Sequence, residues 1–177
     1  MKIRTFVTLC ALATFAAATP AESKKGPAQA GSKNARFEQF KQLAGEWVGT
    51  ANCCAQGQKE VRVQFKVTAG GSAVVETEFP GTDHEMITVI TPDGDDLALT
   101  HYCMMGNQPH MKAEGKGPTD KIAFQFAAIG NANPNTDSFM RDVTYTFVDK
   151  DTLKAEWTHC REGKVHGKAV IELKRKK

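Results

Sequence analysis

From about residue 46 to the C-terminus, apolar and polar residues alternate with a period of two, segment after segment, and tight turn sequences separate the segments. Val61, Val63, Phe65 and Val67, for example, alternate with Arg62, Gln64 and Lys66. Successive side chains of a strand point to opposite faces, so such a segment puts one face in a core and the other in water. Ten strands are expected, at about 46–53, 59–69, 73–79, 84–92, 96–103, 109–115, 121–127, 138–148, 152–160 and 164–174. Gly70-Gly71, Asp93-Gly94 and Asp149-Lys150-Asp151 supply the positive φ angles and side-chain caps that hairpins need. Consecutive short hairpins make an up-and-down meander. Left open, its sheet would expose two long edges, and closure removes them. The expected fold is therefore all-β, a single up-and-down antiparallel barrel of about ten strands, with a two-sheet sandwich as the alternative. Phe37, Phe40 and Leu43 fall at helical spacing and predict a short N-terminal helix over 35–43.

The chain opens with Met1, Lys2, Ile3 and Arg4, followed by an apolar run from Phe6 to Ala18. That run is too short to span a bilayer and ends in small residues, the pattern of a secretory signal peptide. Cleavage after Ala18 or Ala21 satisfies the small-residue requirement, and Ala21 is preferred because it removes Pro20 with the signal. Cys10 does not make a lipoprotein signal, because Leu9 precedes it and it lies inside the apolar run. Residues 22–33, rich in Lys, Gly, Pro, Ala, Gln and Ser, cannot bury enough apolar surface to order themselves and read as a flexible leader. Residues 34–177 then form one domain, large enough for a core. No second apolar stretch reaches the roughly 20 residues of a membrane helix, so no membrane span is expected in the mature chain, which is taken to be periplasmic or extracellular. Lys2 and Arg4 belong to the signal, and the 21 basic residues that remain face 20 acidic ones. That balance does not suggest a nucleic-acid partner. The Lys174-Arg175-Lys176-Lys177 run reads as a solvated strand end.

Leu43-Ala44-Gly45-Glu46-Trp47, a helix end running into Gly-x-Trp at the first strand, resembles the lipocalin signature at the closed end of that barrel. Gly81 to Met86, Asp95 to Cys103 and Gly106-Asn107-Gln108 are similar to segments of an uncharacterised family of secreted bacterial proteins, which brings no activity with it. The resemblance implies a lipocalin-like (calycin-type) barrel that holds a ligand. It departs from the fatty-acid-binding members of that fold, since nothing between strands one and two could form their helical lid.

In a meander, His84, His101, His110, His159 and His166 all fall at one rim, together with Cys53, Cys54, Cys103 and Cys160. Parity with Leu97, Leu99, Trp157 and Trp47 turns His101, Cys103, His159 and Cys53 inward. Arg141 shares parity with Phe139, Val143, Tyr145 and Phe147, which puts a cation on an apolar face where it needs a carboxylate partner. The first reading is a pocket for a small apolar or amphipathic ligand. Trp47, Phe79, Phe124, Phe126, Tyr145 and Trp157 are its walls, His101, Cys103 and His159 its mouth, and Arg141 receives an acidic head group. The alternative is a barrel filled by its own side chains that serves as a structural or protein-interaction module. A further alternative is copper or zinc bound at the rim by His101, Cys103 and His159, with Met104, Met105 and Met111 nearby, although no Cys-x-x-Cys or His-x-x-x-His pair supports it. No cofactor is expected.

An oxidising compartment and four mature cysteines favour disulfides, with parity pointing to Cys53–Cys103 and Cys54–Cys160. No nucleophile elbow, phosphate loop or zinc-protease helix occurs, and the His101–Cys103 pair lacks a placed oxyanion donor, so the expectation is a non-catalytic binder. The connection from Ala128 to Asp137 lies at the same rim, and Met104-Met105 are expected to fold over the opening as a hydrophobic cap. Composition leaves the oligomeric state open.

Overall fold

The computed structural model of the chain describes residues 34–53 and 58–177. The expected signal peptide over 1–21, the expected leader over 22–33 and Cys54 lie outside the described residues. Those described form one short helix, α1 (Ala35–Lys41), and ten strands: β1 (Gly45–Cys53), β2 (Gln58–Thr68), β3 (Ala73–Glu78), β4 (Met86–Asp93), β5 (Asp96–Tyr102), β6 (Gln108–Ala113), β7 (Lys121–Gly130), β8 (Phe139–Asp149), β9 (Thr152–Arg161) and β10 (Lys164–Arg175). Each strand pairs antiparallel with its sequence neighbour, and β1 closes the barrel on β10 from Trp47↔Arg175 to Cys53↔Ala169. The expected meander and its closure are both present, and the sandwich is not. At Gly49 the closure is tight, because a Cβ there would lie 1.8 Å from the Glu172 carbonyl oxygen.

The direction of the strands defines two ends. The lower end carries the Asp93–Asp96 turn, where Gly94 takes φ 65°, the 3₁₀ turn at Ala69–Gly71 and the helix. The upper end carries the 79–85, 103–107, 131–138 and 162–163 connections. β7 runs to Gly130 rather than residue 127, so the connection after it is shorter than the sequence suggests. β4 begins at Met86, which leaves His84 exposed in the connection before the strand instead of opening it.

The helix plugs the lower end. The Asn34 side chain accepts hydrogen bonds from the backbone N–H groups of Arg36 and Phe37, while its own amide donates to the Asp95 and Asp96 carbonyls at 2.9 Å. One residue thus starts the helix and fixes it to the β4–β5 hairpin. Phe40, fully buried, enters the barrel and meets Tyr145 at 5.2 Å and Phe147 at 5.3 Å between ring centroids. Gln39 and Thr119 exchange two hydrogen bonds that hold the helix to the β6–β7 connection.

Arg175 is not a solvated strand end. Its guanidinium donates to the Ala44 carbonyl at 2.9 Å and the Gln42 carbonyl at 2.8 Å, satisfying the chain where the helix stops, and lies 4.4 Å from the Trp47 ring centroid. Trp47 in turn donates its indole N–H to the Leu43 carbonyl at 2.8 Å. Arg175→Ala is expected to cost about 2 kcal/mol, from two charge-assisted hydrogen bonds and a cation–π contact at a partly buried site. Arg175→Lys should recover less than half of that, since one ammonium cannot reproduce the fork. Urea midpoints of the three proteins check both statements.

Local bulges alter which residues face inward. The β8–β9 register shifts between Met140 and Asp142, making Arg141 the extra residue. Arg141 is therefore exposed, not luminal, and its guanidinium faces Asp142 at 3.4 Å and the Phe126 ring at 6.0 Å. Phe139, just beyond the bulge, pairs with Cys160, and both are buried apart from the luminal core cluster.

Candidate functional site

The lower and middle lumen is packed. Trp47, Phe65, Phe124, Tyr145, Ile90, Leu97, Leu99, Met111 and Ile122 belong to one core cluster and expose at most 2% of their surface. Trp47, Phe124 and Tyr145, expected as walls of a pocket, are core. Phe79 is half-buried against the cluster with φ 53° as the chain leaves β3, and Phe126 is half-buried against Phe139 at 5.3 Å.

Polar groups gather above this core. Glu76, Thr88 and His101 occupy directly paired positions on β3, β4 and β5, and all three are buried. Glu78 stands two residues further up β3 and is also buried. Thr88 Oγ1 bonds His101 Nδ1 at 2.8 Å, and Tyr145 Oη donates to Glu76 Oε2 at 2.5 Å. Trp157, from β9, lays its ring against His101 at 4.7 Å between centroids. Three buried polar atoms of this cluster have no hydrogen-bond partner: Glu78 Oε1, His101 Nε2 and Trp157 Nε1. The Trp157 indole N–H is near enough to favour the charged form of Glu78 but falls short of hydrogen-bonding geometry. A buried polar group without a partner costs about 1–3 kcal/mol, so three at one place are a concentrated cost to the fold.

Burial sets the ionisation of these groups. It pushes the Glu76 carboxyl up to about 7 against the opposing Tyr145 hydrogen bond. It pushes Glu78 well above the usual carboxylate range, and the Glu76 charge adds to the rise. His101 is pulled down to about 4, also by burial. At neutral pH Glu78 is therefore protonated, Glu76 is near its midpoint, and the His101 imidazole carries no charge.

Of the residues the sequence singled out, His101 and Trp157 meet in this cluster. Cys103 lies close enough to Glu78 to feel its charge, and burial holds its thiol above the usual range. His159 is half-buried and pairs its ring with His166 at 6.2 Å. His110 on β6 and His166 on β10 are exposed. Met104 and Met105 do not cap the opening. Each is more than half exposed, because Gly106 N–H closes a turn onto the Cys103 carbonyl and leaves the two central side chains outside. Among the described residues, no three His, Cys, Asp or Glu side chains converge as a metal site would require, and His101 Nδ1 is already taken by Thr88.

Cys103 and Cys160 carry free thiols, so the expected Cys53–Cys103 and Cys54–Cys160 bonds are not formed. One strand separates β1 from β9 and three separate it from β5. Strands about 4.8 Å apart put Cys53 on β1 and Cys103 after β5 beyond the reach of a disulfide.

Glu76, Glu78 and Thr88 were absent from the residues expected at the site. Val74 shares their parity, but Ala73, Val75, Thr77 and Phe79 make the other face of β3 look the more apolar, which hides two luminal acids.

The crystal structure of Rv2717c from M. tuberculosis is similar to this barrel, with a TM-score of 0.58 and 16% identity over 80% of this chain and 97% of that one. A redesigned β-barrel aligns at a TM-score of 0.41 with 10% identity, over 78% of this chain and 95% of its own. The first likeness shows the barrel fold alone. No protein-family model matches the sequence, and no curated protein matches it.

Proposed function

We propose that the protein is an exported, lipocalin-like barrel that binds a small amphipathic ligand at the upper end of its lumen and does no chemistry on it. Its mature domain spans 34–177, behind a signal peptide over 1–21 and a leader over 22–33. The observation that carries the reading is the trio of unpartnered buried atoms on Glu78, His101 and Trp157. A ligand whose polar end reaches them removes that cost, and the half-buried ring of Phe79 is at hand for its apolar end. The packing below limits the ligand to a small one. A non-catalytic role fits a Cys103 thiol held protonated by burial and a His101 ring kept neutral, since neither is an activated nucleophile or a poised base.

A second reading, a protein-interaction module, rests on one observation. Ile87 and Tyr102 face each other across β4 and β5 and are exposed, with Met104 and Met105 exposed at the same end.

Native mass spectrometry of the mature protein from its host's periplasm, with and without reductant, separates the two. The expected spectrum carries a small extra mass that leaves on denaturation and is lost in Trp157→Ala that retains its fold. An unladen chain that appears as a complex with a second protein would replace the ligand reading with the interaction reading.

A further inference from the structure

Among the described residues, the upper lumen holds two buried carboxyl groups and no buried cation. The buried polar and charged side chains are Asn34, Glu76, Glu78, Thr88, His101 and Asn107, so among the described residues no Lys or Arg is buried there to balance Glu76 or Glu78. Arg141, the cation expected inside, is outside. The acid head group that Arg141 was to receive therefore has no cationic partner among the described residues of the lumen.

We propose that the site takes the protonated amine end of a small organic cation, with Glu78 as its counter-ion; this rests on the ligand-binding reading above and names its ligand class. An alkylammonium has three N–H donors and no acceptor. The cluster offers matching acceptors: Glu78 Oε1 is free, Glu76 Oε1 is not engaged by Tyr145, and His101 Nε2 accepts when Nδ1–H donates to Thr88. The Trp157 ring, tilted against His101 at 4.7 Å between centroids, supplies a π face for the charge. A buried ion pair of this kind is favourable only when its hydrogen bonds are also made, and here the acceptors are already in place.

The electrostatics separate the ligand classes. An ammonium ion requires Glu78 to ionise, so binding releases a proton from the Glu78 carboxyl to solvent and strengthens as pH rises. A carboxylate ligand would need the acids protonated and would bind more tightly as pH falls. An alcohol would respond little to pH. Among the described residues, the titratable groups facing the site are Glu76, Glu78, His101, Tyr145 and Cys103. Over pH 6 to 8 Tyr145 and Cys103 stay protonated and His101 neutral, which leaves the two glutamates to set the trend.

The test uses three probes of one shape, n-butylammonium chloride, sodium n-butyrate and n-butanol, at equal ionic strength in phosphate buffer. The Tm of the mature protein is read at pH 6 and pH 8. Butylammonium at 50 mM is expected to raise Tm by several degrees at pH 8 and by less than half as much at pH 6, with no comparable effect from the other two. Glu78→Gln should remove the shift while leaving the protein folded, because Gln is the neutral isostere of the protonated acid. A carbon NMR titration of the wild-type glutamate carboxyls should show Glu78 moving to the ionised chemical shift as the amine is added. A larger shift from butyrate, an amine shift that survives Glu78→Gln, or no shift from any probe would each overturn the cation assignment. The ligand mass in the native spectrum then decides separately whether the binding reading stands.

Discussion

Phe40→Ala is expected to remove about 4 kcal/mol of stability, a large part of what a domain of this size possesses. The ring is fully buried and touches Phe124, Tyr145 and Phe147 in tilted or edge-to-face geometry at 5.2 to 5.9 Å. Its loss removes transfer energy, leaves a cavity that the rigid barrel cannot close, and forfeits three aromatic contacts. A seven-residue helix has no stability of its own, so α1 depends on this anchor and on Phe37. Hydrogen exchange should accordingly show the amides of α1 exchanging far faster in the variant than those of β9. Phe40→Leu should restore about half of the lost stability. A urea titration giving a loss below about 1.5 kcal/mol for Phe40→Ala would mean that the helix lies on the barrel end without closing it.

Raising the pH from 5 to 8 should destabilise the protein by about 3 kcal/mol or more. Glu76 titrates near 4.5 when unfolded and near 7 when folded. Between those values the folded carboxyl holds a proton that the unfolded one has lost, so stability falls as pH rises, by about 1.4 kcal/mol per unit, and levels off above 7. Glu78 acts in the same direction and continues to higher pH, since its carboxyl is raised further. His101 opposes them on the acid side. The unfolded imidazole binds a proton below 6.5 and the folded one only below about 4, which costs stability as pH falls through that window. Exposed carboxylates with lowered values, such as Asp137 and Asp149, add to the loss in strong acid. Stability is therefore expected to peak near about pH 5 and decline on both sides. Glu76→Gln should flatten the limb above pH 5, and His101→Gln the limb below it. Urea midpoints from pH 4 to 9 check the shape, and a profile that rises from pH 5 to 6.5 and is then flat to 8 would mean that both carboxyls are ionised in the fold and only His101 titrates.

Much of the architecture was legible. The alternation along residues 61–67 and 97–101 survives as the burial pattern of β2 and β5, because both strands are regular there and each residue of one parity meets the core. The strand count, the short hairpins and the gathering of histidines at one end follow from the meander itself. His101 and Trp157 were legible as inward residues, since no bulge intervenes between them and Leu99 or Ala155. Arg141 was not, because one extra residue in β8 reverses every side chain beyond it, and a bulge leaves no mark in an apolar pattern. Glu76 and Glu78 were hidden for a related reason: parity offers two faces of β3, and hydrophobicity alone selects the one that ends in Phe79.

By itself the sequence determined the local conformations and the order in which they join. Period two makes strands, glycine and aspartate turns make hairpins, Asn34 starts a helix, and neighbouring strands pair because their connections are short. Only the tertiary structure decided what the lumen contains. Closing ten strands on one another fixes a single register, and that register, with its bulges, sets which side chains share the interior. It filled the lower barrel with α1 and the aromatic core, sent Arg141 to the surface, separated the cysteines by whole strands, and brought two acids, a neutral histidine and a tryptophan together from strands far apart in the chain.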